Sequence, residues 1–531
     1  MPSNLDRQLE LLRNSPALLS GISSLQRGLE KESLRVNADG SLALTPHPPA
    51  LGSPLSHPKI TTDYSEALLE FITPVASSIA DCLQQLQDIQ LYTYHSIKQQ
   101  GEMLWTSSMP CKLGKADAIP VARYGKSNVG KMKTVYRLGL GHRYGRPMQT
   151  ISGIHYNFSL SDKFWAKYQQ VNADTQSLAD FKTEQYFGLM RNFRRYVPLF
   201  VYLFGASPAL CKSFLNGQQH QLQSLDDCTL YGEFATSLRM GDLGYQSSAQ
   251  SSLFVCYNSL NDYIHSLRRA ITEPHADYQK IGLKDEQGNY KQLNTALLQI
   301  ENEFYSTIRP KRLTASGEAP VNALARGGVE YIEVRCVDVN PFTPLGIDEE
   351  SMQFLDVFLL YCLLRESSPL DDKACTAADD NFKLVVNQGR KPDLAINIDG
   401  HKTAFRDWAD ALLKAMQPLA QLLDTLNASG CYQQTLSCQQ KKIRNASLTP
   451  SAQVLAMMHE RQCSYAEFAC QQSRQWQAHF LSQPLSEEKV RFFAGLAADS
   501  LVQQQTIEAA DTLSFDEYLA HFYQQYTVKT S

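Results

Sequence analysis

The chain has 531 residues, 43% apolar and 20% charged, an ordinary globular composition with material for one large domain or two to three average ones. A net charge of -4 provides no basic field, so nucleic acid and anionic membrane surfaces are excluded as main partners, whereas a small phosphate pocket is not. Twelve cysteines without any Cys-x-x-Cys spacing argue against a zinc ribbon or a thioredoxin-type pair and read as reduced, mostly buried thiols.

In chain order, the start Met-Pro-Ser-Asn-Leu-Asp-Arg lacks the pattern of a signal peptide, so a cytoplasmic location is the expectation. Residues 4–20 read as a helix, and Gly28 to Val36 switch toward period two before a turn at Asn37-Ala-Asp-Gly40. Helical spacing returns over 78–100 (Ile79, Leu83, Leu86, Ile89, Tyr92). Residues 106–146 are Gly-rich, basic and irregular, Met148 to Leu160 is strand-like, and 175–210 is helical. The apolar runs Val197–Leu210 and Met352–Leu364 are too short to span a bilayer and read as buried helices.

Tyr278 to Leu293 reads as a hairpin about Asp285-Glu-Gln-Gly-Asn289, and Val329 to Asn340 is the clearest strand. The last third is Gln- and Ala-rich with helical spacing, and no strand signal follows Leu394–Asp399. Cys431 with Cys438, and Cys463 with Cys470, are spaced for one face of a helix. The expected architecture is α+β, a mostly antiparallel sheet with covering helices over 1–365 and a helical portion over 366–531 packed as part of the same unit.

One pattern recurs on the candidate strands: two polar residues, two positions apart, inside apolar sequence. Glu30 and Glu32, His155 and Asn157, and Glu333 and Arg335 each share a strand face. In Thr62-Asp63-Tyr-Ser-Glu66-Ala-Leu-Leu-Glu70, helix and strand readings both put Glu66 and Glu70 on one side, and Glu66 is expected to stay outside any cluster. Singly, Glu30 and Glu32 read equally well as a solvated edge, and His155 as a structural histidine. Together, buried carboxylates at Glu30, Glu32, Asp63, Glu70 and Glu333 would cost several kcal/mol each unless a cation relieved them. Oxygen-rich sets with one imidazole suit Mg²⁺ or Mn²⁺ and, through it, nucleotide phosphates, with Arg335 as a planar clamp.

Two glycine-rich stretches do not qualify as nucleotide motifs. Gly125-Lys-Ser-Asn-Val-Gly-Lys131 has Met132 where a P-loop needs Ser or Thr, and Gly139-Leu-Gly-His-Arg-Tyr-Gly145 misses the dinucleotide spacing by one residue.

Gly28-Leu-Glu-Lys-Glu-Ser-Leu-Arg-Val-Asn-Ala-Asp-Gly40, Thr61-Thr-Asp-Tyr-Ser-Glu-Ala-Leu-Leu-Glu-Phe-Ile-Thr-Pro74, Met148-Gln-Thr-Ile-Ser-Gly-Ile-His-Tyr-Asn-Phe-Ser159 and Gly327-Gly-Val-Glu-Tyr-Ile-Glu-Val-Arg335 with Asp338-Val-Asn-Pro-Phe342 resemble the glutamate–cysteine ligases of proteobacterial type over nearly the whole chain. The resemblance implies a fold similar to glutamine synthetase, a curved antiparallel sheet forming a funnel. It implies ATP-dependent ligation of glutamate to cysteine, the first step of glutathione synthesis, by a cytoplasmic enzyme taken as a monomer. It assigns Mg²⁺ to Glu30, Glu32, Asp63, Glu70, His155 and Glu333, and the transferring phosphate to Arg335. Substrate binding falls to Tyr136, Gln149, Asn157, Arg239, Tyr245 and Tyr305 with Leu140 nearby, and nucleotide phosphates to Lys311 and Arg312. Without the resemblance, Tyr136, Tyr245 and Tyr305 would be packing residues and Arg239 a surface charge.

Overall fold

The computed structural model describes residues 4–215, 217–244, 253, 255–315 and 317–527. Strand β1, Gln26–Asn37, places Glu30 and Glu32 on one face and buries Leu29 and Lys31 on the other, where the Lys31 ammonium donates to Gln90 at 2.7 Å. Strands β2 (Ile60–Thr62), β3 (Leu68–Ile72), β4 (Glu102–Leu104) and β5 (Ile154–Ser159) follow. Short strands β6 (Ala209–Cys211), β7 (Gln223–Ser224) and β8 (Thr229–Tyr231) form a small separate sheet. Strands β9 (Ile308–Lys311) and β10 (Tyr331–Val337) complete the main sheet in the order β2-β3-β1-β5-β10-β9, with β4 also on β1 and every pair antiparallel.

Helices Ile79–Ile97 and Leu178–Phe204 cover the sheet face opposite Glu30 and Glu32. Helix Glu349–Leu364, apolar almost all round, is buried beneath them, as its composition requires. It is tied to β1 by Arg27, which grips Asp356 with Nε and Nη2 at 3.0 and 2.6 Å, while the Tyr156 hydroxyl donates to the same carboxylate at 2.6 Å. The largest core joins strand residues Leu29, Tyr156 and Ile332 to Leu413, Leu436 and Phe480 of the helical last third. A second core holds Leu34, Trp105, Leu140, Leu238 and Phe468. Among the described residues no helix is long and apolar enough to cross a membrane.

Four expectations are corrected. The stretch 106–146 contains a helix, Asn128–Tyr144, started by Ser127, whose hydroxyl accepts from the Gly130 amide at 3.2 Å, and stopped by Gly145 at φ 83°. Its internal glycines hide it: a Cβ at Gly139 would collide with the Gln299 side chain, and one at Gly141 with the Tyr64 hydroxyl. That helix also contains most of the Gly139–Gly145 stretch, no place for a dinucleotide turn. Of Tyr278–Leu293 only the centre is hairpin-like: helix Ala276–Ile281 begins the stretch, and about Asp285–Asn289 one antiparallel bridge, Lys284 to Tyr290, closes a turn with Gly288 at φ 84°. The strand from Met148 opens instead as a single 3₁₀ turn, Met148–Thr150, after Pro147. Finally, strand β11 (Ala395–Ile398) does have a successor, β12 (His401–Ala404), whose His-Lys-Thr-Ala carries no apolar signal because the hairpin is largely exposed.

Candidate active site

The sheet register brings the polar pairs into one band. Glu32 stands opposite Glu70 on β3, Glu30 opposite His155 on β5, and Asn157 opposite Glu333 on β10. The expectation that Glu66 and Glu70 share a side fails, because a tight turn separates them. The Glu66 carboxylate accepts from the backbone amides of His47 and Arg123 at 2.6 and 2.7 Å, pinning two loops, and stays out of the cluster as expected. The register of β10 shifts between Val334 and Val337, a bulge of the kind that re-aims side chains beside active sites. Arg335 lies in it, and its amide donates to the Thr307 carbonyl.

Glu30, Glu70 and His155 offer ligand atoms that all lie within 4.8 Å of one another. His155 Nδ1 lies 3.0 Å from Glu30 Oε2 and 3.8 Å from Glu333 Oε1, and Nε2 lies 3.9 Å from Glu32 Oε1. The Asn157 amide donates to Glu30 Oε1 at 3.0 Å, and the Gly153 amide to Glu32 Oε2 at 2.6 Å. Arg335 Nη1 donates to Glu333 Oε2 at 2.9 Å, and Lys311 Nζ lies 3.2 Å from Glu333 Oε1.

The charges are only partly balanced. Burial works to raise Glu333, yet Lys311 and then Arg335 hold it well below the usual carboxylate range. For Glu30 burial is the largest single influence and works upward, but the hydrogen bond to His155, helped by the Lys311 charge, leaves the carboxyl below its ordinary value. Burial first, and Arg335 second, depress His155, which favours a neutral imidazole. On the β3 side compensation falls short: burial and then the Asp63 charge push Glu32 up to about 8 against the pull of Arg239 and Arg335, and burial followed by Glu30, Asp63 and Glu32 pushes Glu70 well up against Arg137. Two mutually repelling carboxylates, Glu32 buried and Glu70 half-buried, beside a neutral imidazole form a hard-ligand set that fits Mg²⁺ or Mn²⁺, whose charge would relieve them.

A cavity of about 810 Å³ opens beside this cluster, lined by His155, Arg335, Arg239, Tyr144, Met148 and Tyr305 among others. Gln149 donates to the Tyr305 hydroxyl at 3.2 Å. Tyr136, on helix Asn128–Tyr144, sits near Tyr305 and Asp63; burial raises its phenol well above the usual range, and Glu303 adds to the rise. Leu140, one turn further, is buried in the second core. Arg239 is buried and lines the cavity. Tyr245 lies outside the described residues. Arg312 is turned toward the loop before β10, donating to the Gly328 carbonyl at 3.2 Å, so of the two proposed nucleotide contacts only Lys311 meets the carboxylate cluster.

Sequence reading missed the support behind Tyr305. The Tyr144 ring stands edge-on to it at 5.9 Å, and Glu303, fully buried, accepts from the Tyr144 hydroxyl at 2.7 Å and from Arg143 at 2.9 Å. The one signal was the pair Glu301 and Glu303, two apart, like the pairs on the strands.

Comparison with known proteins agrees. Residues 9–385 match the family model described as glutamate-cysteine ligase. The chain is 50% identical over 524 residues to glutamate–cysteine ligase of Alcanivorax borkumensis, covering 98% of this chain and 99% of that one. It is 51% identical over 516 residues to that of Saccharophagus degradans, covering 97% and 96%. The crystal structure of the Francisella tularensis glutamate–cysteine ligase in complex with AMP superposes with a TM-score of 0.89 at 36% identity, covering 95% and 98%. A bifunctional glutathione synthetase from Pasteurella multocida, 23% identical with a TM-score of 0.68, shares the fold over 92% of this chain and 57% of its own. Fold, cluster and relatives define an ATP-consuming carboxylate–amine ligase. The chain belongs to the glutamate–cysteine ligase family.

Proposed function

We propose that the protein joins the γ-carboxylate of L-glutamate to the amine of L-cysteine at the expense of ATP, through γ-glutamyl phosphate, as the first step of glutathione synthesis. The observation that carries the reading is the meeting of Glu30, Glu70 and His155 from three strands beside Arg335 at one cavity. Activation of the carboxylate is needed because its oxygen is too poor a leaving group for an amine to displace. Glu30, Glu70 and His155, with Glu32, Asp63 and Glu333 around them, would hold Mg²⁺ or Mn²⁺. A cation bound there supplies the charge that lets two anions approach and offsets charge on the phosphate oxygens.

The chain's own groups do the rest. Arg335, half-buried and aimed by the bulge, stabilises the in-line transfer from its planar fork while Glu333 fixes its orientation. Lys311 is placed for nucleotide phosphate. Arg239 receives the cysteine carboxylate together with hydroxyls of Tyr136 and Tyr305, the latter held by Gln149. Asn157 fixes Glu30. The sheet is read as the curved wall of a glutamine-synthetase-like funnel, and the enzyme as a cytoplasmic monomer.

The test is ADP release by purified protein with glutamate, Mg²⁺ and a panel of amines, with the product weighed by mass spectrometry. Cysteine-dependent ADP and a γ-glutamylcysteine mass are expected. Turnover with ammonia but not cysteine would assign the chain to a different amine.

A further inference from the structure

We propose that Asp338 is a positioning residue for the acceptor amino acid, fixing the Arg239 guanidinium at the angle from which it receives the substrate carboxylate; this rests on the reading of Arg239 above. Arg239 sits in a single 3₁₀ turn, Leu238–Met240, and is 2% exposed, yet it lines the cavity. Its Nη1 lies 3.6 Å from Asp338 Oδ1, and its Nη2 donates to the Arg335 carbonyl at 2.9 Å. The opposite wall is Gly153, where a Cβ would run into the guanidinium. Asp338 is itself locked: Oδ2 accepts from the Ala206 amide at 2.9 Å and the Ser207 hydroxyl at 2.7 Å, and Oδ1 from the Ser237 hydroxyl at 2.9 Å.

A free arginine side chain gives up much rotamer freedom on binding an anion; one already held by a buried carboxylate and a main-chain oxygen gives up little. The carboxylate three residues after Arg335 also ties the acceptor-side cation to the strand that carries the phosphate-side one. The two substrates are thereby held on one rigid piece of β10 and its extension.

Cysteamine, which keeps the amine and thiol of cysteine but lacks its carboxylate, separates positioning from general support of the fold. Asp338→Asn is expected to lower kcat/KM for cysteine about tenfold or more, mainly through KM, while kcat/KM for cysteamine and KM for ATP and glutamate stay within about twofold. Ser237→Ala keeps the charge and loosens only one bond to Asp338, so it guards against a variant that fails to fold; a smaller loss with the same preference for cysteine is expected. Equal losses with both amines, in either variant, would overturn the proposal. Arg239→Lys separates the two levels. If it leaves the cysteine-to-cysteamine ratio unchanged, the reading of Arg239 falls and the proposal with it. If it collapses that ratio while Asp338→Asn and Ser237→Ala do not, Arg239 stands and Asp338 is refuted.

Discussion

Replacing Glu32 by Gln should make the cation-free protein more stable. Glu32 faces Glu70 directly across two antiparallel strands and is 3% exposed. Burial and the Asp63 charge together penalise its ionised form, and the proton equilibrium sizes that penalty. Burial first and Asp63 second raise Glu32 from the ordinary 4.5 to about 8, so the stability it contributes is complete below pH 4.5 and drains away as pH rises toward 8. At about 1.4 kcal/mol per pH unit, roughly 3 kcal/mol is gone by pH 7. Gln is nearly isosteric, can still accept from the Gly153 amide, and has no charge to lose. Denaturant midpoints in chelator at pH 7 should therefore favour Glu32→Gln by about 3 kcal/mol, with the gap closing near pH 4.5. Mg²⁺ should raise the wild-type midpoint far more than the variant's. A variant that is less stable in chelator, or that keeps the full Mg²⁺ increment, would refute the reasoning.

Arg335→Ala should cut ADP formation by about 10²- to 10³-fold at saturating substrates, and Arg335→Lys should recover little because a point charge does not replace a planar fork; initial-rate assays decide. Asp356→Asn would leave Arg27 charged and buried behind β1, so a loss of about 3–5 kcal/mol in denaturant unfolding is expected. His57 Nδ1 accepts from the amides of Lys59 and Ile60 at 3.1 and 2.9 Å, and burial, followed by the Lys59 charge, lowers it to about 4. The folded protein therefore resists protonation that the unfolded chain accepts near 6.5, and stability should be lost as pH falls from 6.5 toward 4, by on the order of 2 kcal/mol after allowance for partial solvent screening. His57→Asn, which can still accept, should flatten that acid limb in urea midpoints; an unchanged slope would refute it.

The polar band was legible because a strand alternates. Glu30 with Glu32, His155 with Asn157, and Glu333 with Arg335 had to share faces whatever the register, and β1 and β10 are long enough to display the period. The register itself, which decides that Glu32 meets Glu70, is a tertiary fact without local signature. Helix Asn128–Tyr144 was hidden for the opposite reason. Its glycines lower helix propensity by about 1 kcal/mol each, and they are there because Gln299 and Tyr64 approach its backbone closely. A sequence read for local preference sees that cost and not the contacts that justify it.

The same division explains where the site is unstable and where it is firm. On the β10 side, Glu333 is matched by Lys311 and Arg335, so that half is settled without any cation. On the β3 side, Glu32, Glu70 and Asp63 crowd together, and Arg239, Arg335 and Arg137 offset burial and mutual repulsion only in part, so Glu32 and Glu70 stay raised. Strain that one glutamine would remove is thus concentrated where a divalent cation would release it, so a cation bound there would gain affinity from the instability of the cation-free cluster. The helical last third counters that cost from a distance. Its residues Leu413, Leu436 and Phe480 share a core with Leu29 and Tyr156, the inward-facing neighbours of Glu30 and His155 on the same strands. Strands anchored on their apolar face can hold like charges together on the other.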